Sequence, residues 1–312
     1  MPTFSTPAPI SVSLDIGSAC ASAEIFASDR LDTVVEVRPT DPAKKSDVAL
    51  AEQTQVAYSD GALSVKAPRN WRQFMVWSGS GSVDIKIELP SGSRLRGEIG
   101  VGVGVLGAPG PSALRATGVL GECTFKSGAG DLQLAVAGPL RLRTGAGDIS
   151  VESAAGHCEI STGSGAVHVS RAGGNAVIKN SNGDIWVGEA KADLRVTTSN
   201  GKIWVARAGA NVEAKTANGS IQIDEVVHGT VQANTSMGKL EVGVRRGVPA
   251  LLDLETSWGK VLNSLDASGP PGPGEPSVEV RARSGFGDIR IFRAGGAEDA
   301  GAGAMTGTAD HA

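Results

Sequence analysis

From residue 123 onward the apolar residues come in pairs two positions apart, and polar or glycine-containing phrases separate the pairs. One set reads Leu132/Leu134, Ile149/Val151, Val167/Val169, Ile185/Val187, Ile203/Val205, Ile221/Ile223, Leu240/Val242 and Ile289/Ile291. The other reads Cys123/Phe125, Leu140/Leu142, Cys158/Ile160, Ala176/Ile178, Leu194/Val196, Val212/Ala214, Val231/Ala233, Leu252/Leu254 and Val280/Ala282. Side chains alternate between the two faces of a strand, so each pair marks a short strand with one dry face. The residues between the pairs, such as Arg195 and Glu213, are mostly polar or charged and belong to the wet face.

A glycine stands between the two sets at positions 130, 147, 165, 183, 201, 219, 238, 259 and 287, so the period is about 18 residues until it lengthens near the end. A fixed period of this size predicts an all-β solenoid in which each coil buries its apolar face against its neighbours. Inward positions recur at an offset of nine, as from Ile185 to Leu194, which disfavours a triangular coil built from hexapeptides. Two strands and two turns per coil describe a flattened β-solenoid with rungs about 4.8 Å apart. Corners such as Asn182-Gly183 and Asn200-Gly201 call for a positive φ at the glycine. Three residues before each glycine stands Ser127, Thr144, Thr162, Asn180, Thr198, Thr216, Thr235, Thr256 or Ser284, a column expected to hydrogen-bond corner backbone.

Residues 1–111 lack this period and are expected to form a non-repetitive β region that caps the first coil. Strands are predicted at Ile10–Leu14, Ala23–Ala27, Thr33–Val37, Gln53–Tyr58, Ala62–Lys66, Val83–Leu89 and Arg94–Ile99, with one or two helical turns over Lys44–Ala51. Ser59-Asp60-Gly61 is a hairpin signal. The repeats occupy 112–293, interrupted by a proline- and glycine-rich loop at 266–276 that cannot join a sheet. Residues 294–312, rich in Ala, Gly and Asp, read as a disordered tail.

The formal net charge of -4 over 312 residues, with both signs interspersed, provides no basic footprint for nucleic acid. No stretch approaches the roughly 18 to 20 apolar residues of a membrane helix, and the first 23 residues lack the pattern of a secretory signal. Cys123 and Cys158 fall in one inward column two coils apart, about 9 to 10 Å from each other and too far for a disulfide. Together with Cys20 they are expected to be three free thiols in a cytoplasmic chain.

Chemistry is sparse. His157 beside Cys158 is a nucleophile dyad only in appearance, because Cys158 is expected to face inward, and no catalytic residue is assigned. Asp131, Asp148, Asp184 and Asp288 share a column that superficially resembles a calcium ladder. The same column holds Lys202, Lys239 and Lys260, which repel a cation, so no metal or cofactor is expected. More informative is the outward column three residues after the glycine, which carries His168, Trp186 and Trp204 on successive coils. A row of exposed rings can bind a protein or a polymer partner, whereas shielded rings would only pack. One residue before the glycine, the corner changes from Asn182, Asn200 and Asn218 to Met237, Trp258 and Phe286, a stripe expected to be covered by the proline-rich loop or the tail. Trp71, Phe74, Met75 and Trp77 are expected to pack the cap onto the first coil.

These columns, with Thr33-Val34-Val35-Glu36-Val37-Arg38-Pro39, the strand Val83–Pro90 and repeats of the type Ser181-Asn182-Gly183-Asp184-Ile185, resemble the bacterial "putative adhesin" family of β-strand-repeat proteins, a domain of unknown function. The resemblance covers about residues 8–293 and implies a β-solenoid without established enzymatic activity; no functional residues come with it. The expectation is therefore a non-enzymatic cytoplasmic binding or scaffold protein. The alternatives are an adhesin-like surface protein exported without a classical signal and a polysaccharide-processing β-helix enzyme, which would need acids and bases converging on one face.

Overall fold

The computed structural model describes residues 2–16, 20–67, 81–100, 113–266 and 275–295. The first third contains β1 (Thr3–Ser5), β2 (Ser11–Ile16), β3 (Cys20–Ser28), β4 (Asp32–Pro39), α1 (Lys45–Gln53), β5 (Gln55–Ser59), β6 (Ala62–Lys66), β7 (Ser82–Pro90) and β8 (Arg94–Ile99). There follow β9 (Ala113–Leu120), β10 (Cys123–Ala129), β11 (Leu132–Ala137), β12 (Leu140–Ala146), β13 (Ile149–Ala154), β14 (Cys158–Ser164), β15 (Val167–Ala172), β16 (Ala176–Asn182) and β17 (Ile185–Ala190). The last third contains β18 (Leu194–Asn200), β19 (Ile203–Ala208), β20 (Val212–Asn218), β21 (Ile221–Val226), β22 (Gly229–Met237), β23 (Leu240–Val244), β24 (Ala250–Trp258), β25 (Val261–Asn263), β26 (Val278–Phe286) and β27 (Ile289–Arg293).

The strands stack into two long sheets, as a two-strand coil requires. Sheet A runs β1-β4-β7-β3-β9-β11-β13-β15-β17-β19-β21-β23-β27-β25, and sheet B runs β24-β26-β22-β20-β18-β16-β14-β12-β10-β8-β2-β6-β5. From β9 to β27 every pairing is parallel, with the apolar pairs in register: Ile185 faces Ile203, and Val196 faces Ala214. The inward residues form one core, with Val187, Val205, Ile178 and Val196 all fully buried. The fold is thus all-β and solenoidal.

Corner chemistry fixes the coil. Gly201 has φ +147°, and a Cβ there would stand 2.1 Å from the carbonyl oxygen of Gly183 one coil away, so both conformation and space exclude a side chain. The hydroxyl and amide column bonds from coil to coil: Thr235 Oγ1 donates to the Gly219 carbonyl at 2.9 Å, and Asn180 Nδ2 to the Gly165 carbonyl at 2.9 Å. Aspartates after the glycine accept a backbone N–H from the neighbouring coil, Asp148 from Ala166 at 2.7 Å and Asp184 from Lys202 at 2.7 Å. The Asp column therefore serves the backbone, and among the described residues no group of three potential metal ligands gathers.

The described residues before β9, though aperiodic, add parallel rungs. β2 pairs in parallel with both β6 and β8, and β3 with both β7 and β9. Val12, Leu14, Leu63, Val65, Ile85 and Ile87 continue the core, because alternation alone suffices for stacking even where connections differ in length. Antiparallel strands then end both sheets: β4 and β1 on sheet A, β5 on sheet B. The Asp60-Gly61 turn of the β5–β6 hairpin has φ +50° and +74° at its two centres, as a two-residue loop of this kind demands. Helix α1 joins β4, the second strand of sheet A, to β5 at the edge of sheet B and buries Leu50 completely. Asp47 in its first turn accepts the backbone N–H of Ser82 at 3.1 Å and pins the helix to β7.

Chain order and spatial order part company at both ends. The coil β2/β3 lies between β6/β7 and β8/β9, and the last coil in sequence, β26/β27, lies between β22/β23 and β24/β25. The step back inward falls between β25 and β26, the stretch in which the spacing of the glycines lengthens to 28, from Gly259 to Gly287. Residues 267–274 of this proline-rich loop, the tail from residue 296, and the Trp71, Phe74, Met75 and Trp77 cluster lie outside the described residues.

An outward aromatic row and an apolar corner

The column three residues after the corner glycine faces outward on sheet A, because its neighbours on either side face the core. β15, β17 and β19 place His168, Trp186 and Trp204 directly opposite one another in register. The His168 ring lies on Trp186, with centroids 3.8 Å apart and planes within 13°, and Trp204 follows at 5.4 Å, tilted by 59°. Trp204 is 38 % exposed, His168 is exposed and Trp186, held between them, is half-buried. The structure thus brings the three sequence-predicted residues into one continuous row.

Two further features position the row. Trp204 Nε1 donates to Asp224 Oδ2 at 2.7 Å, and Gln222 Nε2 donates to Asp224 Oδ1 at 2.7 Å, so one carboxylate fixes the indole edge and the next polar residue of the column. Gly188 leaves room for Trp186: a Cβ there would meet the Ser170 carbonyl oxygen at 2.4 Å and the far edge of the indole at 3.0 Å. Sequence reasoning missed both. The signal for Gly188 was present, since the outward positions beside the row are Ser170, Gly188 and Ala206, a lane of small residues flanking large ones. Asp224 interrupts that lane and had no periodic signature. Partial burial lowers the pKa of His168 below the ordinary 6.5, because the stacked ring is easier to keep neutral than charged.

The remaining candidates resolve otherwise. Cys158 is wholly buried and its thiol is pushed up to about 12 by burial, so beside His157 it offers no thiolate. Cys123 behaves alike, also at about 12, and both are unpaired, with β12 between their strands. On the outer faces, single carboxylates each bridge two cations: Arg141 and Arg143 of one rung on Glu159 of the next, Arg195 of one rung and Lys215 of its own strand on Glu213, and Arg207 and Arg245 of the two flanking rungs on Glu225. Hydrogen bonds from Arg143 and from Lys215 hold the carboxyls of Glu159 and Glu213 below the usual range.

The apolar corner corrects an expectation. Met237, Phe286 and Trp258 line up on β22, β26 and β24, but they are 54 %, 58 % and 71 % exposed and not covered. The strand ends that adjoin the proline-rich loop and the tail, those of β25, β26 and β27, lie at the opposite corner of the coil, and residues 267–274 and those from 296 lie outside the described residues.

The geometry defines a β-solenoid with a structural corner ladder, paired charges on its flanks and one contiguous aromatic row. The chain belongs to the Toastrack DUF4097 family, a family of unknown function that matches residues 13–311. No curated protein matches it. Among solved structures, one called a "putative adhesin" from Bacteroides fragilis is 14 % identical, with 93 % of this chain and 95 % of that one covered and a TM-score of 0.39. A Parabacteroides distasonis protein called "putative lipid binding" is 16 % identical, with 92 % and 95 % covered and a TM-score of 0.31. A Clostridium sporogenes protein called a "putative cell adhesion protein" is 13 % identical, with 94 % and 98 % covered and a TM-score of 0.20.

Proposed function

We propose that this protein is a non-enzymatic binding or scaffold protein, cytoplasmic in location, whose recognition surface is the row His168-Trp186-Trp204 on sheet A. The observation that carries the reading is the contiguity of the three rings on a face whose other rungs present Gln133, Ser150, Gln222 and Glu241. A core does not require rings there, because the inward residues of the same strands are already buried against sheet B. Ring faces spaced by the rungs, with the Asp224 carboxylate at one end, suit a partner that is flat or extended and repetitive: a polymer, or a strand-like segment of a protein. The paired charges and the protonated, buried thiols support a role without covalent chemistry.

The test uses one variant and two readouts. Replacing Trp186 and Trp204 together by Ser is expected to cost at most about 2 kcal/mol of stability, since both rings are partly exposed, and to abolish capture of the partner that co-purifies with the unaltered protein. A large fall in melting temperature with the partner retained contradicts the proposal. Cell fractionation decides the location, and recovery at the cell surface would favour an exported, adhesin-like role.

A further inference from the structure

We propose that two copies of this chain join end to end through the open C-terminal coil, β24 of each copy pairing antiparallel with β25 of the other about a two-fold axis that runs along the strands.

Among the described residues the two sheets end here on β24 and β25, each paired on one side only. Their inward residues are not sealed. Ala250, Leu252 and Leu254 are only partly buried and Val261 is 44 % exposed, whereas Val280 and Ala282 one coil further in are fully buried. Of the nine large hydrophobic residues exposed among the described residues, Met237, Leu251, Trp258, Val261, Leu262 and Phe286 belong to the last three coils. An end of this kind offers two sheet edges about 10 Å apart with an apolar strip between them. The same end of a second copy matches both edges at once.

Charge selects the arrangement. On the outer side of β24, Asp253 and Glu255 share the single guanidinium of Arg283, which leaves the end of sheet B acidic. At the end of sheet A the charged residues before and beside Leu262 are Lys260 and Arg290, with Asp288 accepting the backbone N–H of Lys260 at 2.9 Å, so two cations stand against one carboxylate. Pairing β24 with its own copy would set these carboxylates against each other. A two-fold axis along the strands joins sheet B to the partner's sheet A and brings acidic against basic. The strand directions are then antiparallel, because β24 runs toward the Gly259 corner and β25 away from it. The same operation makes the two Gly259 corners coincide. Each stripe of Met237, Phe286 and Trp258, with the last two rings parallel within 5° at 6.4 Å, then continues into its counterpart.

The size is sufficient. The nine residues of β24 span about 30 Å, of which the three residues of the other copy's β25 pair with about 10 Å; with two sheets about 10 Å apart and their outer side chains the end face is on the order of 500 Å² per copy. The pair then buries on the order of 1,000 Å², where specific association begins.

Sedimentation equilibrium of the full chain, from micromolar to hundreds of micromolar, tests the proposal. The expected result is a mass that rises with concentration to twice that of one chain and no further. Trp258→Glu, and separately Lys260→Glu with Arg290→Glu, should each weaken association about tenfold or more, with melting curves of the dilute protein unchanged because these residues are at the surface. Adding Asp253→Lys and Glu255→Lys to the Lys260→Glu and Arg290→Glu variant should restore association. A chain that is monomeric at every concentration, or a dimer indifferent to Trp258→Glu, overturns the proposal. Weakening without restoration overturns the β24–β25 pairing.

Discussion

The two ends of this solenoid solve the same physical problem differently. Each coil needs a neighbour on both sides, and at an end one neighbour is missing. At the N-terminal end the chain supplies a substitute. β4 and β1 turn antiparallel on one sheet and β5 on the other, and α1 crosses between them with Leu50 fully buried. At the C-terminal end it supplies none among the described residues: β24 and β25 keep the parallel register of the repeats and stop. The difference shows what the repeat can and cannot do. Regular coils propagate readily, but closing them takes strands that break the direction, and among the described residues such strands lie only in the aperiodic third of the sequence.

Substitutions of the same kind at the two ends should therefore have unlike effects. The largest contrast is expected from an aspartate at each. Leu50→Asp places a charge where the side chain is fully buried and should cost several kcal/mol, whereas Leu251→Asp, at a position 68 % exposed, should stay within about 0.5 kcal/mol. Chemical denaturation of the dilute protein measures both, and equal losses would remove the distinction between a closed and an open end.

An intermediate contrast is expected at the corner glycines. Gly201→Ala meets the Gly183 carbonyl oxygen at 2.1 Å with coils locked on both sides and should cost about 3 kcal/mol. Gly259→Ala meets the Gly287 oxygen at 2.2 Å, but the outermost coil can lift away, so about 1 kcal/mol is expected. Thermal melting followed by circular dichroism compares them.

The smallest effect belongs to the aromatic row, which lies far from either end. Burial lowers the pKa of His168 relative to the unfolded chain, so the unfolded state binds the proton more readily. Stability from this residue is present above the unfolded value of about 6.5 and declines as pH falls through the lower folded value. His168→Gln should flatten that decline slightly in melts from neutral to acid pH, and a decline identical in the variant assigns it elsewhere.

Much of this was legible in the sequence, and the reasons are local. The apolar pairs, the corner glycine and the Ser/Thr/Asn column each impose a requirement that recurs in every coil. Repetition makes such a requirement visible, and the coil and its inward face were read correctly from it. The hairpin at Asp60-Gly61 and the strand Ala62–Lys66 were legible for the same reason, a turn whose backbone admits few residues. The exchange of coil order at both ends was not, because moving β26/β27 inside β24/β25 leaves every column unchanged. Nor was the exposure of Trp258 and Phe286, because the column itself does not say what lies over a corner. In the aromatic row the rings were evident as a column, while Asp224, which fixes Trp204, occurs once and left no periodic trace.

Hydrogen exchange of the dilute full chain, read by mass spectrometry on peptides from the two ends, tests the contrast most directly. Amides of β6 and β7, shielded by antiparallel neighbours and α1, should exchange slowly, at rates near those of the central coils β16 to β20. Amides of Ala250–Trp258 should exchange much faster than these, and faster than those of Val278–Phe286 one rung inward. Equal protection of the outermost C-terminal strand and of β6 in the dilute chain would contradict an open end.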